Sequence, residues 1–494
     1  MNKTIKQSIW LYVLTIIIGI VTYFTRILFA RNLSLMEYGL FYAVYAFIFF
    51  FAPFRDLGLS EATIFFINKY LAKNDKPRMK GIMIIGFVPQ FVLGLAMTTV
   101  LFLLGHFIVE HYFRNPLALS VYNILLILFA FQTILPTLMY LFSAYQKVVY
   151  FKVADLIKFS SILTLAVFLF SLTDLTVTVP AYSYLFGVLI TIIVYYIFFR
   201  FNFRDIIKTK AEVNKGMVKE MFSYALPIMF STAAGIILTY SDMILLTYFK
   251  GPELVGLYNI ALPAITIITL LIGPISMILF PKISNLYHKK NKKAIVSILN
   301  FLYNNFLFLS LPLGLIFFAY PNLIINLLFG SKYLGAVNTL RVFSFFFVFR
   351  AVRDINFAIV AGIGKAKERS KILYYAAGFN IIADLIFIPL FAATGAAFAT
   401  GLSWVLMSYL TTRIILKEYK PRINIKLQFR VVLSNLIFLL SIFFFKMTFE
   451  LSSIILEAVL VLSISAVIYL LSLFLFKALT KEKINLFKKM VFSD

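Results

Sequence analysis

The chain has no cysteine, which excludes disulfides, thiolate metal sites and cysteine nucleophiles. Histidine is scarce, with three residues; His106 and His111 stand at a loose i, i+5 spacing without a third ligand and read as solvated side chains. Charged residues make up 13% of the sequence, against about a quarter in soluble domains. Acidic charge is scarcest, with 20 Asp and Glu against 46 Lys and Arg in 494 residues. Apolar residues fill 62% of the chain and its mean hydropathy is +0.96. Such a chain cannot cover a soluble surface and reads as an integral membrane protein. Its opening, MNKTIKQSIW, runs into a spanning-length segment with no small-residue cleavage site, so the first helix is expected to be retained.

A spanning helix needs about 20 mostly apolar residues. Fourteen segments qualify: Ile9–Ala30, Gly39–Leu59, Gly81–Gly105, Leu117–Phe142, Val153–Leu172, Val177–Phe199, Met221–Phe249, Val255–Pro281, Ser297–Tyr320, Ala336–Gly362, Ile372–Ala392, Gly395–Leu416, Val431–Phe445 and Ile454–Phe476. Basic residues test this count, because they collect in cytoplasmic loops. With both termini inside, the cytoplasmic segments hold 34 of the 46 Lys and Arg, and the outer segments hold five: Arg31, Arg114, Lys250, Lys332 and Lys446. One missed or invented span would scramble that alternation. The expected fold class is therefore an all-α polytopic membrane protein of about 14 transmembrane helices in the plasma membrane, N-in and C-in. The basic loops suit anionic membrane lipids, and no basic face on a soluble fold suggests nucleic acid.

The sequence also repeats. A shift of 217 residues lays Gly39-Leu40 on Gly256-Leu257, Tyr70 on Tyr287, Lys73-Asn74 on Lys290-Asn291 and Ala144 on Ala361. Six helices per copy is an even number, so the copies share orientation and their pseudo-two-fold axis runs along the membrane normal. The expected organisation is an N-lobe over 1–200 (helices 1–6) and a basic cytoplasmic linker over 201–220. A C-lobe over 221–417 (helices 7–12) follows, then helices 13 and 14 with a basic tail over 418–494. Two such lobes would face each other across a cavity, where transporters of this kind bind substrate.

Catalytic readings find little footing. The loops are short, and GIGK at Gly362–Lys365 lacks the spacing of a phosphate-cradling loop. No enzyme activity is expected, and a membrane glycosyltransferase or a scaffold for assembly enzymes competes only weakly with transport. Ionisable groups inside spans are costly and are functional candidates by default. Arg341 and Arg413 lie near helix ends and read as snorkelling, whereas Arg26 suits either snorkelling or lining a cavity. Arg350 and Asp354 can pair at i, i+4, which would leave Arg353 as surplus charge. Surplus arginine suits an anion, phosphate especially. Arg55, in APFRDLGLSEAT, falls near the cytoplasmic end of the second span, placed to meet a phosphate headgroup. Asp242 and Asp384 lie at matching depths, with Asn380 on the face of Asp384 and Thr400 nearby in the next span. These four offer oxygen ligands for a hard cation such as Na+, a site for a shared proton, or simple interhelical hydrogen bonds. No other cofactor is implied.

The segments ARNLSLMEYGLFYAVYAF, FRDLGLSEATIFFINKY, SDMILLTYFKGPELVGLYNIALP and GIGKAKERSKILYYAAGFNIIADLIFIPLFAATGAAFATGLSW together resemble the polysaccharide (Wzx-type) flippase family. Its superfamily also holds lipid II flippases and MATE exporters. The resemblance implies two six-helix lobes, alternating access and transfer of a polyprenyl-(pyro)phosphate-linked oligosaccharide to the outer leaflet. It also implies that Arg55 resembles a cavity arginine of the lipid II branch. Asp242, with Asn380, Asp384 and Thr400, resembles that branch's sodium site, where the matching position on helix 7 is either Asp242 or Ser241. Substrate binding would then rest on Arg26, Arg55, Arg350 and Arg353. The alternative within transport is a cation- or proton-coupled small-molecule exporter of the MATE type.

Overall fold

The computed structural model describes residues 3–145, 147–172, 176–449 and 453–479. Among them the regular structure is helical throughout: α1 (Lys3–Asn32), α2 (Leu35–Phe49), α3 (Ala52–Asp56), α4 (Leu59–Leu71), α5 (Lys76–Leu103), α6 (Gly105–Ile108), α7 (Ala118–Phe131), α8 (Ile134–Ala144), α9 (Val148–Leu172), α10 (Val179–Asn202), α11 (Arg204–Lys208) and α12 (Lys215–Lys250). Next come α13 (Pro252–Thr266), α14 (Thr269–His288), α15 (Lys292–Asn305), α16 (Leu307–Ala319), α17 (Pro321–Leu328), α18 (Val337–Gly362), α19 (Ala366–Tyr419), α20 (Ile425–Thr448) and α21 (Ile454–Leu475). Eleven stretches among the described residues are long and apolar enough to cross a membrane. One of them, α19, holds two of the expected spans, divided where Ala392 takes φ 52° and ψ −130°. The expected span over α13–α14 is helical with a break at Ile267–Ile268, and the one over α18 is helical but carries Arg341, Arg350, Arg353 and Asp354, more charge than this apolar criterion admits.

The helices form two compact units. The first runs to Asn259 and adds Leu373–Ala396; the second comprises Ile260–Ile372 and Ala397 onward. In the first unit α9 packs between α1 and α10, while α4 contacts α5, α8 and α12. A core of Phe66, Ile67, Met79, Leu141 and Met221 sits among these last helices. In the second unit α18 packs on α14 and α16, and α20 pairs with α21 over Val431, Phe438, Ile442 and Val461.

Local chemistry explains the starts and breaks. Ser34 and Glu37 close a capping box at the head of α2, the Ser34 N–H donating to the Glu37 carboxylate at 2.8 Å and the Glu37 N–H to Ser34 Oγ at 3.2 Å. Two residues on, Gly39 meets Gly256, its mate in the repeat: a Cβ at Gly39 would lie 2.1 Å from the Pro252 carbonyl oxygen and 2.9 Å from the Gly256 nitrogen. Repeat mates in contact are what a local dyad between α2 and α13 requires.

The expected end of the second span at Leu59 is instead an internal break. Pro53 opens α3, Leu57 and Gly58 take left-handed φ of 51° and 74°, and α4 carries the helical path on to Leu71. Gly58 also sits where a Cβ would overlap the Ala225 carbonyl of α12, so only glycine satisfies both conditions.

The repeat appears as one turn built twice, once in each unit. Asn74 at φ 53° precedes the cap Asp75, and Lys290 at φ 54° precedes the cap Asn291. The cap side chains accept from Arg78 N and Ala294 N at 3.1 and 3.0 Å. In backbone terms the register here is therefore 216, one residue less than the letter matches suggest, because the turn is set by φ and by capping rather than by the Lys-Asn pair. The basic linker docks on the start of α5 through Arg78–Glu212 at 3.0 Å and on the end of α4 through Lys69–Glu220 at 2.6 Å, so two of its carboxylates are held by basic residues outside it.

Candidate functional site

Arg26 lies in the first unit, on α1, inside a ring of tyrosines. Its guanidinium carbon stands 5.0 Å from the Tyr42 ring, and Tyr42 packs on Tyr38 at 4.8 Å. Tyr23, Tyr45, Tyr184 and Tyr240 all interact electrostatically with the same cation. Four helices, α1, α2, α10 and α12, thus supply its surroundings. Arg26 Nη1 and the Tyr42 hydroxyl are buried and have no hydrogen-bond partner. Orphaned donors inside an apolar protein are expensive. Two of them, one on the cation itself, are chemistry that would suit an oxyanion.

Arg55 has a different setting. It is 8% exposed, its Nη1 donates to the Phe129 carbonyl at 2.5 Å, and its guanidinium stacks 4.4 Å from the Phe129 ring. Phe129 precedes the break between α7 and α8, so Arg55 ties that break to the one between α3 and α4. Ser60 donates to Asp56, and Tyr140 donates to Ser60 at 2.8 Å, which satisfies the neighbouring polar groups. Removing the Arg55 side chain strands a buried carbonyl and opens a gap. Arg55→Ala is expected to cost about 2–4 kcal/mol and to lower the detergent-solubilised melting temperature by several degrees. An unchanged melt with lost transport would instead assign Arg55 to the substrate.

The acidic residues converge within the first unit. Asp384 is fully buried and interacts directly with Asp242. Ser241 donates to Asn380 Oδ1 at 3.1 Å, and the Tyr258 hydroxyl donates to Asp242. Tyr258 is not among the expected site residues; its sole sequence signal is its place directly after Gly256-Leu257, the pair that the repeat lays on Gly39-Leu40. Two buried carboxylates in contact cannot both carry charge without a proton or cation between them. Asp242, Asp384, Asn380 Oδ1 and Ser241 Oγ form an all-oxygen set, which fits a hard monovalent cation. Thr400 belongs to the second unit, where it is buried.

In the second unit Asp354 is taken by the adjacent Arg353, with Nε and Nη2 at 3.0 and 2.5 Å, where the i, i+4 spacing offered it to Arg350. The Arg350 guanidinium lies 5.0 Å from the Trp404 ring. A polar hub also emerges at Asn356, which accepts from Tyr303 at 2.9 Å and donates to Thr412 at 2.8 Å. An asparagine in mid-span was its only sequence signal.

Comparisons with known proteins agree with this architecture. The chain is 29% identical to an uncharacterised membrane protein of Methanocaldococcus jannaschii over 457 residues, 90% of each chain. Among solved structures it is similar to the lipid II flippase MurJ in an inward closed conformation, with TM-score 0.75, 18% identity and 95% and 98% of the two chains covered. It is also similar to an inward-facing multidrug resistance MATE family transporter of the MOP superfamily, with TM-score 0.62, 15% identity and 81% and 95% covered. Residues 4–287, more than half of the chain, match the Polysaccharide biosynthesis protein family. The chain is a multi-pass membrane protein with the MurJ and MATE transporter fold, and it belongs to that polysaccharide biosynthesis family.

Proposed function

We propose that this protein moves a polyprenyl-(pyro)phosphate-linked oligosaccharide from the inner to the outer leaflet of the plasma membrane, for cell-surface glycan synthesis. The observation that carries the reading is Arg26, a half-buried cation whose buried Nη1 is unused, beside an unused Tyr42 hydroxyl. A phosphate brings the acceptors both donors lack. A cationic drug would meet repulsion there, which disfavours the exporter alternative. Arg350 and Arg353 remain candidate substrate residues of the second unit, Arg350 foremost because Asp354 neutralises Arg353. The proposed topology is fourteen spans, N-in and C-in, with anionic lipids at the basic cytoplasmic loops.

Transfer would proceed by alternating access: the head group binds from the cytoplasmic side, the tail stays in lipid, and reorientation releases the sugar outside. A ligand biases such an equilibrium only through unequal affinity for its two states. Na+ or a proton held by Asp242 and Asp384, with Asn380 and Ser241, would supply that inequality by neutralising the paired carboxylates. Thr400, in the second unit, stays a candidate by itself.

The test is transbilayer movement of a lipid-linked oligosaccharide in vesicles containing only this protein. Transfer above protein-free vesicles supports the reading; none, with or without Na+ and proton gradients, ends it. Asp384→Asn keeps the shape and removes one charge from a pair that repels. It is expected to abolish gradient dependence while leaving the melting temperature at or above that of the wild type. Gradient dependence that survives places the coupling elsewhere.

A further inference from the structure

Beside the Arg26 pocket the first unit carries an aromatic surface that a phosphate site alone does not need. Tyr45 on α2 packs 5.7 Å from Tyr184 on α10 and 6.4 Å from Tyr240 on α12, edge to face in both cases. Tyr45 is also stacked on Phe49 at 4.2 Å, with 29° between the rings, which fixes its plane. The three tyrosines are partly exposed, whereas Tyr38, Tyr122 and Tyr195 of the same unit are fully buried. Each of the three interacts with the Arg26 cation, so the surface and the oxyanion receptor are neighbours.

Rigid rings from three helices, each ending in a hydroxyl, match one class of ligand well. The C–H face of a pyranose lies flat on an aromatic ring, while its hydroxyls reach phenolic oxygens. A polyprenyl tail would be served by aliphatic walls and has no use for hydroxyls. A cationic aromatic would be opposed by Arg26. We propose that Tyr45, Tyr184 and Tyr240 form a saccharide platform that holds the sugar joined directly to the substrate phosphate. This inference rests on the reading of Arg26 as the phosphate partner. It makes the protein selective for a glycosylated carrier over the bare one, and so suited to receive the product of a membrane enzyme that joins a sugar to the carrier's terminal phosphate.

The test compares two probes on the full-length protein in lipid nanodiscs: a polyprenyl phosphate without sugar, and the same carrier bearing one hexose. The wild type is expected to bind the glycosylated probe about 10-fold more tightly. Tyr184→Leu and Tyr240→Leu should each erase most of that preference, weakening the glycosylated probe several-fold more than the bare one, since they remove rings and not the cation. Tyr184→Phe, which keeps the ring, should retain most of it. Equal weakening of both probes in the Leu variants, or an unchanged preference, overturns the platform. Binding of the bare probe that is lost in Arg26→Gln but shows no sugar preference in the wild type sinks the platform and leaves the phosphate site standing. A wild type that binds neither probe removes both.

Discussion

Arg26→Gln is expected to reduce transfer of a phosphate-linked glycan lipid by about 100-fold or more, with the protein still inserted and folded. Gln keeps the reach and some of the volume but loses the charge and the fork of donors. In the wild type, tyrosines stand around a half-buried guanidinium whose Nη1 is closed off from solvent, so a bound phosphate is screened less than on an open surface. A charge pair in such a place is worth several kcal/mol, whereas an exposed one is worth under about one. Arg26→Lys should fall between, with a loss of about 10-fold, because a point charge replaces a planar bidentate donor. Initial transfer rates in vesicles, read beside melting curves, separate this from misfolding. Full transfer by Arg26→Gln would reduce the arginine to a packing element held by its tyrosines.

Gly39→Val should remove folded protein altogether. The overlap at this glycine is with backbone, the Pro252 carbonyl and the Gly256 nitrogen, and backbone cannot swing aside as a long side chain can. Ordinary overpacking costs about 1–3 kcal/mol, and a β-branched residue here must force α2 and α13 apart along a contact that small residues created. Gly39→Ala should survive with a clearly lowered melting temperature. Gly378→Ala supplies the control: a Cβ there meets nothing within 4 Å, and alanine favours the helix by about 1 kcal/mol. Yield of monodisperse protein and thermal melting measure all three. A Gly39→Val protein of normal yield and stability would show that the close approach does not exist in the membrane.

Several expectations failed for one shared reason. APFRDLGLSEAT reads as the end of a span because Arg55, Asp56 and Glu61 lower its hydropathy. The chain nevertheless continues in helix to Leu71, since Phe129 and Ser60 satisfy the first two charges from inside the protein. The i, i+4 spacing of Arg350 and Asp354 offers a pair, yet Asp354 is bound by its neighbour Arg353, and Trp404, remote in sequence, lies against Arg350. In both places contacts that the local pattern does not show decide the outcome.

The helical spans, the polar loops and the family were legible from the sequence alone, because bilayer thickness and charge partition act on each segment where it stands. The division at Ala392–Gly395 was legible for the same reason. What only the tertiary structure decided is which polar groups meet. Arg26 gains its tyrosines from α2, α10 and α12 as well as its own helix, and Asp242 meets Asp384 across two helices far apart in the chain. Periodicity places a residue on a face of its own helix but leaves open which neighbour that face will press against. That choice is made by side-chain packing, at glycines such as Gly39 and Gly58 where two backbones close to contact.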